Sequence, residues 1–274
     1  MTYQKQALTP IFLAILVFLL AFDIVAEADS VYAIPSHWGA GEATLNVYDI
    51  LDDLDEGKLE YRATYDLKYP GACDVQIDTQ SNILFLTFEN QDDIELVNAR
   101  TFLSEGTVTA EGATDLAGLE LDYIDPNTTR LYTVDRGTSK LFVYDWDAES
   151  KSLTLLPPDP NNPNNPNYPS ATDYYTLLPQ DPGEDPAVAA CGLALDPDTG
   201  ILYVSQYNGS YSSIIQAYET NDFETNFFPH ERTIDLDETF EGNNNYAVDI
   251  DVDSANGWCK RIEVYAGQSR GNFV

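Results

Sequence analysis

The chain has 274 residues, 43% of them hydrophobic, which is ample for a sizeable core. It carries 46 Asp and Glu against 13 Lys and Arg, and a formal charge of −33 excludes nucleic acid as a partner, because phosphate repels such a surface. Three cysteines, Cys73, Cys191 and Cys259, are an odd count and make no disulfide framework.

Residues 1–28 read as a secretory signal. Lys5 sits in a short polar segment, Ile11 to Phe22 (IFLAILVFLLAF) is an unbroken apolar run, and Ala26-Glu27-Ala28 supplies the small residues for cleavage after Ala28. An apolar run of about a dozen residues is short for a bilayer span. Cleavage therefore leaves a mature chain, 29–274, that is secreted or held at the cell surface with no membrane span. Retention of the leader as an N-terminal anchor is the alternative.

The mature part opens with SVYAI (30–34), a loop, and LNVYDI (45–50), followed by an acidic turn and YRATYDL (61–67). A second unit runs GACDVQID (71–78), ILFLT (83–87), IELVNA (94–99) and SEGTVTA (104–110). A third runs LAGLELD (116–122), RLYTVD (130–135), KLFVYDWD (140–147) and KSLTLL (151–156). The fourth is the clearest: ACGLALDPDTGILYVS (190–205), a strand ending in Tyr218, and RTIDL (232–236). Apolar residues alternate in the first strand of each unit, as at Leu119/Leu121 and Leu193/Leu195, which puts them on one buried face.

The units align on an aromatic anchor. Tyr32, Phe85, Tyr132 and Tyr203 take one place in strand two, separated by 53, 47 and 71 residues. In strand three, Tyr48, Val97, Tyr144 and Tyr218 follow their anchors by 16, 12, 12 and 15 residues. Four short antiparallel strands per repeat of roughly forty to fifty residues predict an all-β fold, a β-propeller of four-stranded blades. The long interval is an insertion at 157–186 (PPDPNNPNNPNYPSATDYYTLLPQDPGEDP), whose prolines and Asn-Pro pairs predict a solvent-exposed loop. Tyr168, Tyr174 and Tyr175 would give that loop aromatic contact surface for recognition.

About four blades are visible. The first copy begins at strand two, and YAVDIDV (246–252) is an inner strand without a following unit. Either the two pieces make one composite blade, or the ring is incomplete and the gene truncated or altered in frame. Lys260 and Arg261 standing where the preceding unit has Tyr203 and Val204 favours the second reading.

GLALDPDTGILYVS with the strand ending in Tyr218, and LYTVDRGTSKLFVYDWD, resemble the NHL- and YVTN-type propeller repeats of exported proteins. The resemblance covers 30 to about 257 outside the insertion. It implies a fold and an exported setting, but no reaction, since such propellers serve as binding modules, surface-layer parts and enzymes.

Chemistry-bearing motifs are sparse. His37 and His230 lie in polar contexts away from any nucleophile motif, and phosphate-loop and Cys-x-x-Cys patterns are missing from the sequence, so no catalytic residue and no organic cofactor is assigned. Cys73 and Cys191 fall at equivalent points of two repeats and read as small buried residues. Asp249, Asp251 and Asp253 alternate along DIDVDSANG, and three oxygen donors on one strand face could hold Ca²⁺. A plain repeat turn like Asp196–Gly200 is the simpler reading of the same stretch. Asn127 and Asn208 begin N-glycosylation sequons.

The function expected is a non-enzymatic binding or cell-surface module that presents loops to a protein or a glycan. One alternative is a metal-dependent propeller hydrolase or lactonase, with Asp74, Glu120 and Asp249 at inner-strand starts facing a channel. Another is a structural part of a surface layer.

Overall fold

Turn residues cut this chain into short runs rich in Val, Ile, Leu, Tyr and Phe, and nearly every run becomes a strand. The computed structural model describes residues 30–34, 43–51, 58–125, 128–158, 174–177, 188–208, 213–220, 230–235, 249–253 and 261–265. The strands fall into two compact units, Met1–Ala33 with Asn46–Thr64 and Ile34–Leu45 with Tyr65–Val274. Among the described residues no helix is long and apolar enough to cross a membrane.

The first sheet is a three-stranded meander of β1 (Ser30–Ala33), β2 (Thr44–Leu51) and β3 (Lys58–Asp66). Its β1–β2 register sets Tyr48 opposite Val31 and Tyr32 opposite Val47. On β2 and β3, Tyr48 meets Tyr61 edge-on at 5.8 Å, and Arg62 pairs with Asp49 at 3.5 Å.

Three four-stranded meanders follow in the second unit. One is β4 (Ala72–Asp78), β5 (Ile83–Phe88), β6 (Asp93–Asn98) and β7 (Ser104–Thr109). The next is β8 (Leu116–Asp125), β9 (Thr128–Asp135), β10 (Lys140–Asp147) and β11 (Ser152–Leu155), to which a short β12 (Tyr175–Thr176) adds along β10. A third has β13 (Val188–Asp196), β14 (Ile201–Asn208), β15 (Ser213–Glu219) and β16 (His230–Asp235). A two-stranded piece, β17 (Asp249–Asp253) with β18 (Arg261–Tyr265), ends the described chain.

The first strands of these sheets are neighbours in series: β4 lies against β8, β8 against β13, and β13 against β17. Sheets stack face to face on that axis. One core joins Phe85, Ile94 and Leu96 to Leu119, Leu131, Phe142 and Trp146. A second joins Tyr132, Val134 and Leu141 to Leu193, Leu195, Leu202 and Val204. Within the first four-stranded sheet β5 is buried at every residue while the outer β7 is almost wholly exposed. Meanders of four antiparallel strands, stacked radially through their inner strands, are the blades of a β-propeller.

The aromatic anchors hold equivalent places. Phe85 stands opposite Gln76 and Leu96, Tyr132 opposite Glu120 and Val143, and Tyr203 opposite Ala194 and Ala217. In strand three, Val97, Tyr144 and Tyr218 each face the residue just before the anchor, namely Leu84, Leu131 and Leu202. Tyr48 faces Val31, just before Tyr32, in the same relation.

Two details differ from the sequence reading. Tyr174–Leu177 does not belong to a solvent-exposed loop: Tyr175 and Leu177 are buried in the core between the second and third four-stranded sheets, and β12 pairs with Lys140 and Leu141. Burial of Tyr175 and Leu177 in that core holds the two-residue β12 against the start of β10. The register of β17 and β18 sets Arg261 opposite Asp253, as Ile201 is opposite Asp196, so Glu263 rather than Lys260 takes the place of Tyr203. Asp253 and Arg261 are eight positions apart and Asp196 and Ile201 five, which shifts the expected alignment.

Candidate functional site

The polar groups of the second unit gather at the end of the sheets where the inner strands begin. The inner strands of the three four-stranded sheets each carry a bulge there, between Ala72 and Asp74, Leu116 and Leu119, and Ala190 and Leu193. A bulge leaves backbone groups outside the ladder, and buried ones need other partners. The neighbouring sheets supply them. Asp74 accepts the Leu119 N–H through Oδ2 at 2.7 Å and its own Val75 N–H through Oδ1 at 2.7 Å. Thr87 donates to the Ala117 carbonyl, and Gln76 Nε2 to the Leu119 carbonyl at 3.2 Å. Ser205 Oγ accepts the Gly192 N–H at 2.7 Å within its own sheet.

Above these bulges Arg136, just past the end of β9, ties two sheets together. Its Nε donates to Asp115 at 2.8 Å and one terminal nitrogen to Glu89 at 3.3 Å. Burial works against the guanidinium charge, but the bond and charge of Asp115 outweigh it and raise the Arg136 pKa. Asp115 is held in turn by the Asn90 N–H at 2.8 Å, and its own N–H donates to Asp135 at 2.9 Å. Asp135, fully buried, also accepts the N–H groups of Thr114 and Gly137. Cys73 and Cys191 flank this network, both free thiols. Burial pushes Cys73 up to about 12 and Cys191 up to about 11 against the opposing pull of Arg136. At neutral pH both are protonated, poor nucleophiles and poor metal ligands.

At the opposite end, the first hairpin turns are closed by aspartates. Asp78 caps the N–H groups of Gln80 and Ser81 and accepts Trp146 Nε1 from the next sheet at 2.9 Å. Asp196 caps Asp198 N–H at 3.1 Å and Thr199 Oγ1 at 2.6 Å, which accounts for the Asp-Pro-Asp-Thr-Gly turn as backbone capping.

The residues singled out from sequence divide accordingly. Asp74 and Glu120 both lie on inner strands, yet Asp74 serves the Leu119 and Val75 N–H groups and Glu120 Oε1 accepts the Leu121 N–H at 3.0 Å. Asp249, Asp251 and Asp253 lie on β17 at alternating positions, facing Tyr265, Glu263 and Arg261 in the register; their side chains lie outside the described residues. His37, Asn127, Tyr168 and Cys259 also lie outside them. Among the described residues no three His, Cys, Asp or Glu side chains gather as a metal-binding group. Arg136 was not legible as a hub, because its partners Asp115 and Glu89 lie 21 and 47 residues away.

No family model matches the chain, and neither does any curated protein. Solved structures do. A protein from Lactobacillus plantarum is 17% identical with a TM-score of 0.52, over 82% of this chain and 58% of that one. The nidogen/laminin complex contains a chain 11% identical with a TM-score of 0.49, over 82% and 66%. The Dos1 propeller is 9% identical with a TM-score of 0.43, over 77% and 45%. At these identities the likeness is one of fold. The chain spans about three fifths of the length of the Lactobacillus plantarum protein. The class is set by the blades themselves: this is an all-β protein, a β-propeller of four-stranded blades.

Proposed function

We propose that the chain is an exported β-propeller of the NHL/YVTN type that works by binding, a rigid blade scaffold presenting loops to a protein or glycan at the cell surface. The observation that carries this reading is the state of the inner-strand ends. Arg136, Asp115, Glu89, Asp74 and Glu120 hold one another or backbone N–H groups, and the two thiols are protonated. Charged groups spent on rigidity support the use of loops, held on a fixed base, for recognition. The leader at 1–28 and the formal charge of −33 fit an extracytoplasmic site of action.

The metal-dependent hydrolase reading has one specific feature in its favour. β17 brings Asp249, Asp251 and Asp253 to alternating positions of one strand, with Glu263 opposite Asp251. Thermal melting of the mature chain with millimolar Ca²⁺ and with chelator separates the two. The binding-module reading predicts the same Tm in both. A rise with Ca²⁺ that Asp251→Asn abolishes, together with turnover of a lactone panel, would replace it. Probing a glycan array with the same protein then tests the recognition it requires, and a blank array with no captured cell-surface protein would count against it.

A further inference from the structure

Gln206 and Ser139, both in the second unit, bury side-chain polar atoms that have no partner among the described residues. Gln206, on β14, is fully buried, and neither Nε2 nor Oε1 has a hydrogen-bond partner among the described residues. Ser139, in the turn between β9 and β10, is 3% exposed, and its Oγ is likewise unpartnered. Buried side-chain amides and hydroxyls are normally paired, so two such groups require a reason.

Both border the same apolar cluster between neighbouring sheets. The β13–β14 register sets Gln206 opposite Ala190, and strand alternation puts Gln206 on the face that carries Leu202 and Val204. Those residues close on Val134, Leu141 and Leu177 from the preceding sheet. Ser139 stands at the edge of that same cluster from the other side: its carbonyl accepts the Leu177 N–H at 3.3 Å, and its N–H donates to the Asp135 carbonyl at 2.9 Å.

The repeat supplies an independent comparison. Gln206 lies three residues past its anchor Tyr203, as Asp135 lies past Tyr132 and Phe88 past Phe85. Phe88 fills the position with an apolar ring, packed edge-on to Tyr69 at 5.4 Å. Asp135 fills it with a carboxylate whose acceptors are taken by Thr114, Asp115 and Gly137. The fold therefore accepts an apolar group or a fully bonded polar one here. Gln206 is neither, and it keeps one donor pair and one acceptor free at the rim of an apolar cluster.

We propose that Gln206 and Ser139 form a buried inter-blade site for a hydroxyl group, which accepts from Gln206 Nε2 and donates to Gln206 Oε1 or Ser139 Oγ. A small neutral molecule that presents one hydroxyl to the pair matches this set, whereas an ion does not, because the lining from Val134, Leu141 and Leu177 is apolar. The hydroxyl comes from a trapped water or from a polyol, glycerol being the simplest probe.

The test uses the whole mature chain, ¹⁵N-labelled at glutamine, with the Gln206 side-chain signal identified by its loss in Gln206→Met. Rotating-frame NOEs, whose sign separates contact from exchange, are recorded with and without glycerol. A cross-peak from the Gln206 amide protons to water assigns the site to water, and one to glycerol CH protons assigns it to a polyol. Lack of both overturns the proposal. In parallel, Gln206→Met lowers Tm by about 3 °C if the amide holds a hydroxyl, and raises Tm if the amide is merely stranded, which would also overturn it. Where that variant folds poorly, through-bond assignment of the wild-type Gln206 side chain identifies the same signal, so the NMR arm stands.

Discussion

Cys73 and Cys191 show how position in a repeat decides chemistry. Two thiols at equivalent points beside an arginine could be read as a reactive pair, since a neighbouring cation lowers a thiol pKa. Here burial outweighs Arg136, and both are raised, to about 12 and about 11. In a Cys259→Ser background the native protein is therefore expected to resist Ellman's reagent at pH 8 and to release two thiols once unfolded in guanidinium. Asp93 is shifted the other way. Burial works against its charge, but bonds from Thr109, Tyr69 and Lys68 together lower its pKa. A carboxylate lowered in the fold adds stability that is complete above its unfolded value near 3.9 and is lost as pH falls through the lower folded value. Asp93→Asn is thus predicted to cost about 1 kcal/mol at pH 7, with the gap between the urea midpoints of variant and wild type closing as pH falls below 4.

Between elements, close approach of the inner strands is the controlling feature. A Cβ added at Gly118 would lie 2.5 Å from the Cys191 carbonyl oxygen and 3.0 Å from the Leu193 nitrogen, both backbone atoms that cannot swing aside. Gly118→Ala should push β8 from β13 and cost about 3 kcal/mol in urea unfolding. The equivalent residue of the preceding sheet is Asp74, which reaches across to Leu119 N–H instead. That contrast was invisible in the sequence. Alternation and turn aspartates announce a strand and its hairpin, as Leu193, Leu195 and Asp196 did, because both signals are local. A bulge and the side chain that caps it belong to different sheets, so nothing near Asp74 in the chain reveals Leu119 as its partner. The return of Tyr174–Leu177 was hidden for another reason: β12 has two residues, too few for a period, inside a run of prolines and asparagines. Leu177→Ala is expected to cost about 3 kcal/mol and to speed proteolysis within 157–186, read as the rate of limited chymotrypsin cleavage after its tyrosines.

At the scale of the molecule, the repeat makes a propeller by burying faces that no single sheet could bury alone. Phe85 meets Trp146 of the next sheet edge-on at 5.0 Å, and Trp146 in turn bonds Asp78 of the sheet before it. The next interface uses Tyr132 with Val143 against Leu193 and Val204. These contacts explain why the anchors were legible: an interface repeated at one strand position demands a large apolar side chain at regular intervals. What the blades carry on their loops is set by no such repetition, and so the ligand was not legible while the scaffold was. The most direct test of this account is the cross-strand NOE pattern of the three anchors in the assigned, deuterated chain. The account predicts backbone contacts pairing Phe85 with Leu96, Tyr132 with Val143 and Tyr203 with Ala217, one register in three successive sheets. Contacts that put any one anchor in a different strand of its sheet, or in a shifted register, would contradict it.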